Sequence, residues 1–435
     1  MRLLFFNRSF HPDVEATGQL LAELCQDLRA HHDVTVVAGR SYNMERFGSW
    51  WPVKREQWEG VTILRAYNPR LDKRVFAGRV VNLLSYFGFS AVAGCFARRP
   101  DVVVVETDPP VLGLVALLFA RIYRAKFVFY LQDLYPDVGV ALGKLRNPIL
   151  IKILEASTQR ILRSADRVIV LGEDMRQRVA AKGYPHPERI RVVPNWVDTQ
   201  RVQPQPDSTA FRQAHGLVGK FVVMFSGNLG LSQGLERIVE VAGQLVGEAE
   251  IQFVFVGEGA AKVGLEAQAR GLRNVQFLPY QPKESLAISL GAADVHLVPL
   301  QRGLAGLIVP SKVYGIMAAG RAFIAPIEAG SEVATIVEQF RCGVRVEPGD
   351  VAGLREAIRW AALHRAELVA MGQRGRAAAV EHFDRKISVA KFHATVQDLA
   401  VGRVDVSSSE FRVPVNSRGV GGQACEGKQE GRGEC

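Results

Sequence analysis

The chain has 435 residues, of which 48% are hydrophobic and 23% charged, and its formal net charge is +10. That length provides for two or three domains with buried cores, and that balance excludes a chain disordered throughout. The basic excess favours anionic partners, nucleotides or phospholipid headgroups ahead of nucleic acid, because neither zinc-finger spacing nor an arginine-rich run occurs. Reading from the N-terminus, the apolar runs LLFF (3–6), VTVVAG (34–39), VVVVE (102–106), KFVFYLQD (126–133) and RVIVLG (167–172) have the continuous hydrophobicity of parallel strands buried on both faces. Helical spacing occupies gaps between them, at 18–30 and 149–164. After RIRVVPNWVD (189–198), the Pro/Gln-rich TQRVQPQPDS predicts a linker. The alternation restarts at FVVMFSG (221–227), IQFVFVG (251–257), VQFLPY (275–280), VHLVPL (295–300) and RAFIAP (321–326).

This pattern predicts an α/β protein with two consecutive parallel-sheet units, 1–200 and 201–402. Ligands bind beyond the strand C-termini in such sheets, so the cleft between the units is the expected site. From 403 to 435 the text turns to Gly, Ser and charge without periodic apolar residues, which predicts a disordered tail. The longest apolar stretch, Val111 to Ala120, falls short of the roughly 20 residues a membrane span needs. The N-terminal apolar run is too short for a signal peptide. Cys25, Cys95, Cys342, Cys425 and Cys435 show no CxxC spacing, so neither a disulfide framework nor a metal site is expected, and the expected location is the cytoplasm.

Five stretches carry candidate chemistry. GLIVPSKVYGIMAAGR (306–321) sets Ser311 and Lys312 at a helix N-terminus, where the dipole disfavours positive charge unless an anion lies against it. FSGNLGLSQGLE (225–236) is a strand, a Gly-rich turn and a helix. Gly227 and Gly230 suit either backbone approach to a phosphate or simply a tight turn. FVFVGEGAAK (253–262) ends its strand at Gly257-Glu258-Gly259 without the third glycine of a dinucleotide fingerprint, so hydride chemistry is poorly supported and no cofactor is expected. Glu258 suits a ribose contact or plain solvation. YLQDLYPDVGVALG (130–143) puts Asp133 and Asp137 just past a strand, as general base and acceptor anchor or as caps of the following turn. No Asp-x-Asp triplet is present, and no metal is expected. NRSFHPDVEATGQLLAEL (7–24) brings His11, Thr17 and Gly18 to the end of the first strand, with His11 either structural or functional.

Taken together, FHPDVEATGQLLAELCQDL, LQDLYPD, VVPNWVD, FSGNLG…QGLE, FVGEG, VPSKVYGIMAAGR and VEPGD resemble the retaining glycosyltransferases of family 4 from Met1 to about Leu399. The likeness is greatest to the WbuB-like enzymes of bacterial surface-polysaccharide assembly. The resemblance implies the GT-B fold, a nucleotide-diphosphosugar donor (UDP favoured) on the second domain and metal-independent transfer with retention. It puts Leu278-Pro279-Tyr280 near the base and Glu258 with the 306–315 loop near sugar and phosphates; Asn228, Ser311 and Gly315 join them as donor-site candidates. A polyprenyl-linked glycan is the implied acceptor, which favours a peripheral contact with anionic membrane at its inner face. Basic and aromatic residues between Arg70 and Arg99, including Phe76, Leu83, Leu84, Phe87 and Phe89, and again at 117–126, suit such a contact or packing on the sheet.

Two departures from the family pattern stand out. The usual glutamate pair falls on Leu307 and Gly315, and the usual Arg and Lys of the Gly-rich turn fall on Asn228 and Gln233. Lys312 is then the best candidate for holding the diphosphate. Asp133 and Asp137 are candidates for positioning the acceptor. Two other readings stay open: a non-hydrolysing nucleotide-sugar epimerase and a non-catalytic nucleotide-sugar-binding subunit.

Overall fold

The structure is a computed structural model that describes residues 1–13, 15–40, 51–69, 71, 76–205 and 208–401. The tail expected from 403 onward and the side chain of Phe76 lie outside the described residues. Among the described residues, eight strands form the first sheet: β1 (Arg2–Phe6), β2 (Asp33–Gly39), β3 (Val53–Trp58), β4 (Val61–Ala66), β5 (Val102–Glu106), β6 (Lys126–Tyr130), β7 (Arg167–Val170) and β8 (Ile190–Val192). Their order is β3-β4-β2-β1-β5-β6-β7-β8, parallel except for β3 against β4. Six more form the second sheet: β9 (Phe221–Ser226), β10 (Ile251–Val256), β11 (Val275–Leu278), β12 (Val295–Leu297), β13 (Phe323–Pro326) and β14 (Gly343–Val346). Their order is β11-β10-β9-β12-β13-β14, parallel throughout.

The runs read as buried strands are buried: all of β5, β7 and β13 lacks exposure, because helices cover both faces of each sheet. The hairpin β3–β4 was not expected from the sequence. Its first strand, VKREQW, is mostly polar because it forms the sheet edge, where only one side is paired. Glu59 and Gly60 make its two-residue turn, both at positive φ (46° and 80°), the geometry that follows strand twist.

The helices Phe76–Gly94, Leu112–Tyr123 and Pro148–Ser164 lie side by side on one face of the first sheet. No helix among the described residues is long and apolar enough to cross a membrane. The final helix, Arg385–Val401, lies within the span expected for the second unit yet packs on the first. Phe392 and Val396 are fully buried among Leu3, Phe5 and Leu24, and Arg385 binds both carboxylate oxygens of Asp27 at 2.7 Å. Apolar burial and a bidentate charge pair hold it there.

The two units touch at the base of their cleft. Asp133 and Ile308 form an isolated antiparallel bridge, and Leu134 N donates to Leu307 O at 2.9 Å. Beside it the N-termini of helices Glu173–Ala181 and Glu332–Phe340 exchange carboxylates. Asp174 accepts from Glu332 N at 2.9 Å and Gly306 N at 3.0 Å, while Glu332 accepts from Glu173 N at 3.1 Å. Each carboxylate satisfies amide groups that a helix start leaves without partners.

Candidate active site

On the second domain, the turns after β9 and β10 are clamped together. Gly227 N donates to Val256 O at 2.9 Å and Leu229 N to Glu258 O at 2.8 Å. Gly227 and Gly257 take φ of 133° and 139°, and a Cβ on Gly257 would lie 2.0 Å from Gly227 O. Only glycine fits this contact, so the two turns form one backbone shelf. Gly257 N donates to Leu278 O at 3.0 Å, which sets Leu278-Pro279-Tyr280 beside the shelf, with Tyr280 exposed.

Lys312 reaches this shelf. Its Nζ lies 3.4 Å from the Phe225 ring centroid, and a Cβ at Gly227 would sit 3.4 Å from it. The ammonium is enclosed and has no hydrogen-bond partner. Burial alone pulls its pKa down to about 7, since the aromatic face compensates only part of the lost hydration. Ser311 is half-buried at the start of the helix Lys312–Ala318 and does not cap it. Gly315 is half-buried against Leu290. Asn228 and Gln233 crowd Gly230, their side chains 3.1 and 2.9 Å from where its Cβ would be, and Gln233 Oε1 is buried without a partner. Glu258 is exposed and pairs with Lys262 at 2.6 Å. Leu307, at the position where the family pattern has a glutamate, is 4% exposed in the apolar core that links the domains, where an unpaired carboxylate would be costly.

On the first domain, a cavity of about 220 Å³ opens at the C-terminal ends of β1, β5 and β6, and its lining includes Asn7, Thr17, Glu106, Thr107, Gln132 and Asp133. Thr107 Oγ1 accepts from Asp133 N at 3.2 Å and so fixes the turn. Burial and then Asp108 push Asp133 up to about 6. Glu106 is driven well above the usual carboxylate range by burial and by Asp108. Arg8 pairs with Asp108 at 3.1 Å and Glu15 at 3.9 Å.

Of the sequence candidates, the fold therefore joins Lys312 with Gly227, Asn228, Gly230 and Gly257, and Asp133 with Thr17. Asp137 does not line that cavity: its carboxylate pairs with Lys182 at 2.8 Å. His11 stacks on Trp58 at 4.4 Å, its carbonyl accepts from Arg65, and burial lowers its pKa. Gly18 lets its helix press on the first loop, since a Cβ there would lie 2.5 Å from Ser9 Oγ. Asn7, Glu106, Thr107 and the Asp174–Glu332 exchange were not singled out from the sequence. Glu106 closes a five-residue apolar strand with a charged residue, and that is the one signal that pointed to it.

Two α/β domains, one carrying a glycine shelf with an enclosed lysine against it, face each other, and comparison with known proteins identifies the class as glycosyltransferases. Residues 16–196 match the glycosyl transferase 4-like domain and residues 220–364 match glycosyl transferases group 1. The chain belongs to this glycosyltransferase family. It is 33% identical to the probable glycosyltransferase WbjE of Pseudomonas aeruginosa, over 76% of this chain and 83% of that protein. It is 31% identical to the putative colanic acid biosynthesis glycosyl transferase WcaI of Escherichia coli K12, over 82% of this chain and 92% of that protein. Among solved structures, Anabaena Alr3699/HepE in complex with UDP superposes with a TM-score of 0.68 at 15% identity, covering 92% of this chain and all of that one. WaaG, a glycosyltransferase involved in lipopolysaccharide biosynthesis, superposes with a TM-score of 0.65 at 17% identity, covering 92% and 100%. The fold is GT-B.

Proposed function

We propose that this glycosyltransferase works in bacterial surface-polysaccharide biosynthesis, moving a hexosyl or N-acetylhexosaminyl group, with retention, from a nucleotide-diphosphosugar to a polyprenyl-linked glycan. One observation carries the donor side: an enclosed lysine ammonium without a counter-ion stands against the glycine shelf of the second domain. An anion delivered to the shelf supplies the missing partner, and a diphosphate whose charge grows as it leaves gains most from it. UDP is favoured because Alr3699/HepE, of the same fold, has been solved in complex with UDP and with UDP-glucose. The C1–O bond to the diphosphate breaks as the acceptor oxygen bonds C1 from the same face. The hydroxyl proton passes to the departing phosphate oxygen, so placement of the acceptor matters more than a strong base. Asp133, on the cavity of the first domain, serves that placement.

The membrane-facing part of the proposal rests on the three-helix face of the first domain. Val81, Leu84, Leu118, Ile122 and Ile153 are exposed on these helices, with Arg121 and Arg124 exposed at the end of the second. Neither Phe76–Gly94 nor Leu112–Tyr123 contains an acidic residue. Apolar side chains between arginines suit peripheral attachment to anionic lipid. Phe87 and Phe89, by contrast, pack against the core.

The test is turnover of a panel of nucleotide sugars with and without a polyprenyl-diphosphate-linked acceptor. Transfer only when acceptor is present supports the proposal. Interconversion of the donor sugar without acceptor identifies an epimerase and overturns it, as does donor binding with no turnover of any panel member.

A further inference from the structure

The stretch Gly306 to Val309 belongs to the second domain yet meets the first at every residue. Gly306 N donates to Asp174 Oδ2 at 3.0 Å, and Leu307 O accepts from Leu134 N at 2.9 Å. Ile308 bridges to Asp133, and Val309 is buried in the same apolar cluster as Tyr130, Leu171 and Trp196. Pro310 follows, its φ fixed by the ring, and then come Ser311 and Lys312. First-domain atoms thus locate the backbone that delivers Lys312 to the glycine shelf.

Asp174 is the polar centre of this clamp. Its Oδ1 accepts from Met175 N at 2.7 Å within its own helix, and its Oδ2 accepts from both Gly306 N and Glu332 N. Glu328, in the turn before Glu332, accepts from Gly303 N at 2.8 Å and Ala305 N at 3.4 Å. Loop and helix start are therefore tied to each other within the second domain and to Asp174 from the first. Gly306 takes φ of 73°, and a Cβ there would lie 2.7 Å from Arg178 Cγ and 2.9 Å from Asp174 O, so the loop lies directly on the first-domain helix. A carboxylate, a carboxyl and a carboxamide each offer an oxygen to these amides, so the clamp does not depend on the charge of Asp174.

We infer that Asp174 is a positioning residue for sugar transfer: from the first domain it fixes the loop that carries Lys312 to the glycine shelf. The inference rests on Lys312 being the donor-side lysine, as proposed above. The ammonium has the face of Phe225 but no hydrogen bond to keep it there, so its place follows the backbone. A displacement of about 1 Å in such a group is enough to cost a hundredfold in rate.

The test compares the parent with Asp174→Ala, with Asp174→Ser, whose hydroxyl stops one bond short of the carboxylate oxygens, and with Asp174→Asn, which keeps an acceptor. Each full-length chain is also made with Lys312→Met, and thermal midpoints are read at pH 7. Enclosing an ammonium costs stability, so Lys312→Met should raise the midpoint of the parent. In Asp174→Ala and Asp174→Ser the lysine is released toward water, and that gain should fall to about half or less, while Asp174→Asn should keep most of it. A residue that merely supports the fold would lower every midpoint and leave the gain unchanged. Calorimetric titration with UDP is the second readout: affinity should fall about tenfold in the alanine and serine variants and stay within about threefold in Asp174→Asn. An undiminished gain in Asp174→Ala overturns the inference, as does no gain in the parent or a UDP affinity in Asp174→Ala equal to a measurable parent value. If UDP binds none of the proteins, the parent included, the donor reading fails, and the midpoints alone decide whether Asp174 places Lys312.

Discussion

Replacing Lys312 with Met removes a charge from apolar surroundings and keeps the unbranched stem that packs on Phe225. Burial lowers the lysine from 10.5 to about 7. A folded pKa below the unfolded one means that the unfolded chain binds more protons between those values. Stability therefore rises with pH from about 7 to about 10.5 and is lowest below 7. Three and a half pH units correspond to nearly 5 kcal/mol, and the half-buried position of the whole side chain reduces the expected effect to about 2–4 kcal/mol at neutral pH. Lys312→Met should thus raise the thermal midpoint by several degrees at pH 7 and flatten its rise toward pH 10. The same variant should lose two to three powers of ten in kcat/KM, about the loss of one preorganised donor to a developing anion, and should no longer be stabilised by UDP. Thermal scans across pH, with and without UDP, and steady-state kinetics read all of these. A variant no more stable than the parent, or one with near-normal turnover, would refute the reasoning.

Asp133→Asn should abolish most transfer while donor affinity stays intact, and equal loss of donor affinity would put Asp133 on the wrong side of the cleft. Asp137→Asn should cost about 1 kcal/mol of stability through its pair with Lys182 and affect transfer far less, which denaturation and kinetics together check. Glu332 is raised from 4.5 to about 7 by burial, with Asp174 and Glu173 adding to the shift, so its contribution is complete below pH 4.5 and fades as pH rises through 7. Glu332→Gln should remove that decline of about 2–3 kcal/mol between pH 5 and 8, and an unchanged pH profile would count against the assignment. Leu84→Glu with Ile122→Glu should abolish sedimentation with anionic vesicles at low salt without changing the thermal midpoint; undiminished sedimentation would place the lipid contact elsewhere.

The parallel strands were legible because burial on both faces makes them continuous apolar words, as in VVVVE and FVVMFS. The edge strand VKREQW was not, since a strand paired on one side carries polar residues and mimics a loop. Lys312 could be picked out because a cation at a helix start is an anomaly needing a partner, and its position over Phe225 gives that anomaly a geometry. Asp137 shows the limit. Four residues from Asp133 and beside a proline, it reads as its equal, but pairing with Lys182 is a long-range contact that local spacing does not encode. Glu106 and Asn7 escaped notice for a related reason. Each has an oxygen without a partner, and an absent partner exists only once the fold has used up the others.

The return of the last helix to the first domain has a mechanical consequence. The backbone crosses between the halves twice, once after Val197 and once before Arg385, and the crossings are fastened to each other. Val197 N donates to Phe383 O at 3.1 Å, Arg385 N to Val197 O at 2.9 Å, and Thr199 Oγ1 to Asp384 at 2.5 Å. A single flexible tether would let the halves twist and separate freely. Two crossings laid side by side resist such twisting, because rotation about the long axis would shear the paired backbone hydrogen bonds. The glycine shelf and the first-domain cavity are thereby carried on two fastened crossings instead of one. It also follows that cutting the chain at the apparent boundary near 200 does not yield an independent first half, because that half would lose Phe392, Val396 and Leu399 from its own interior.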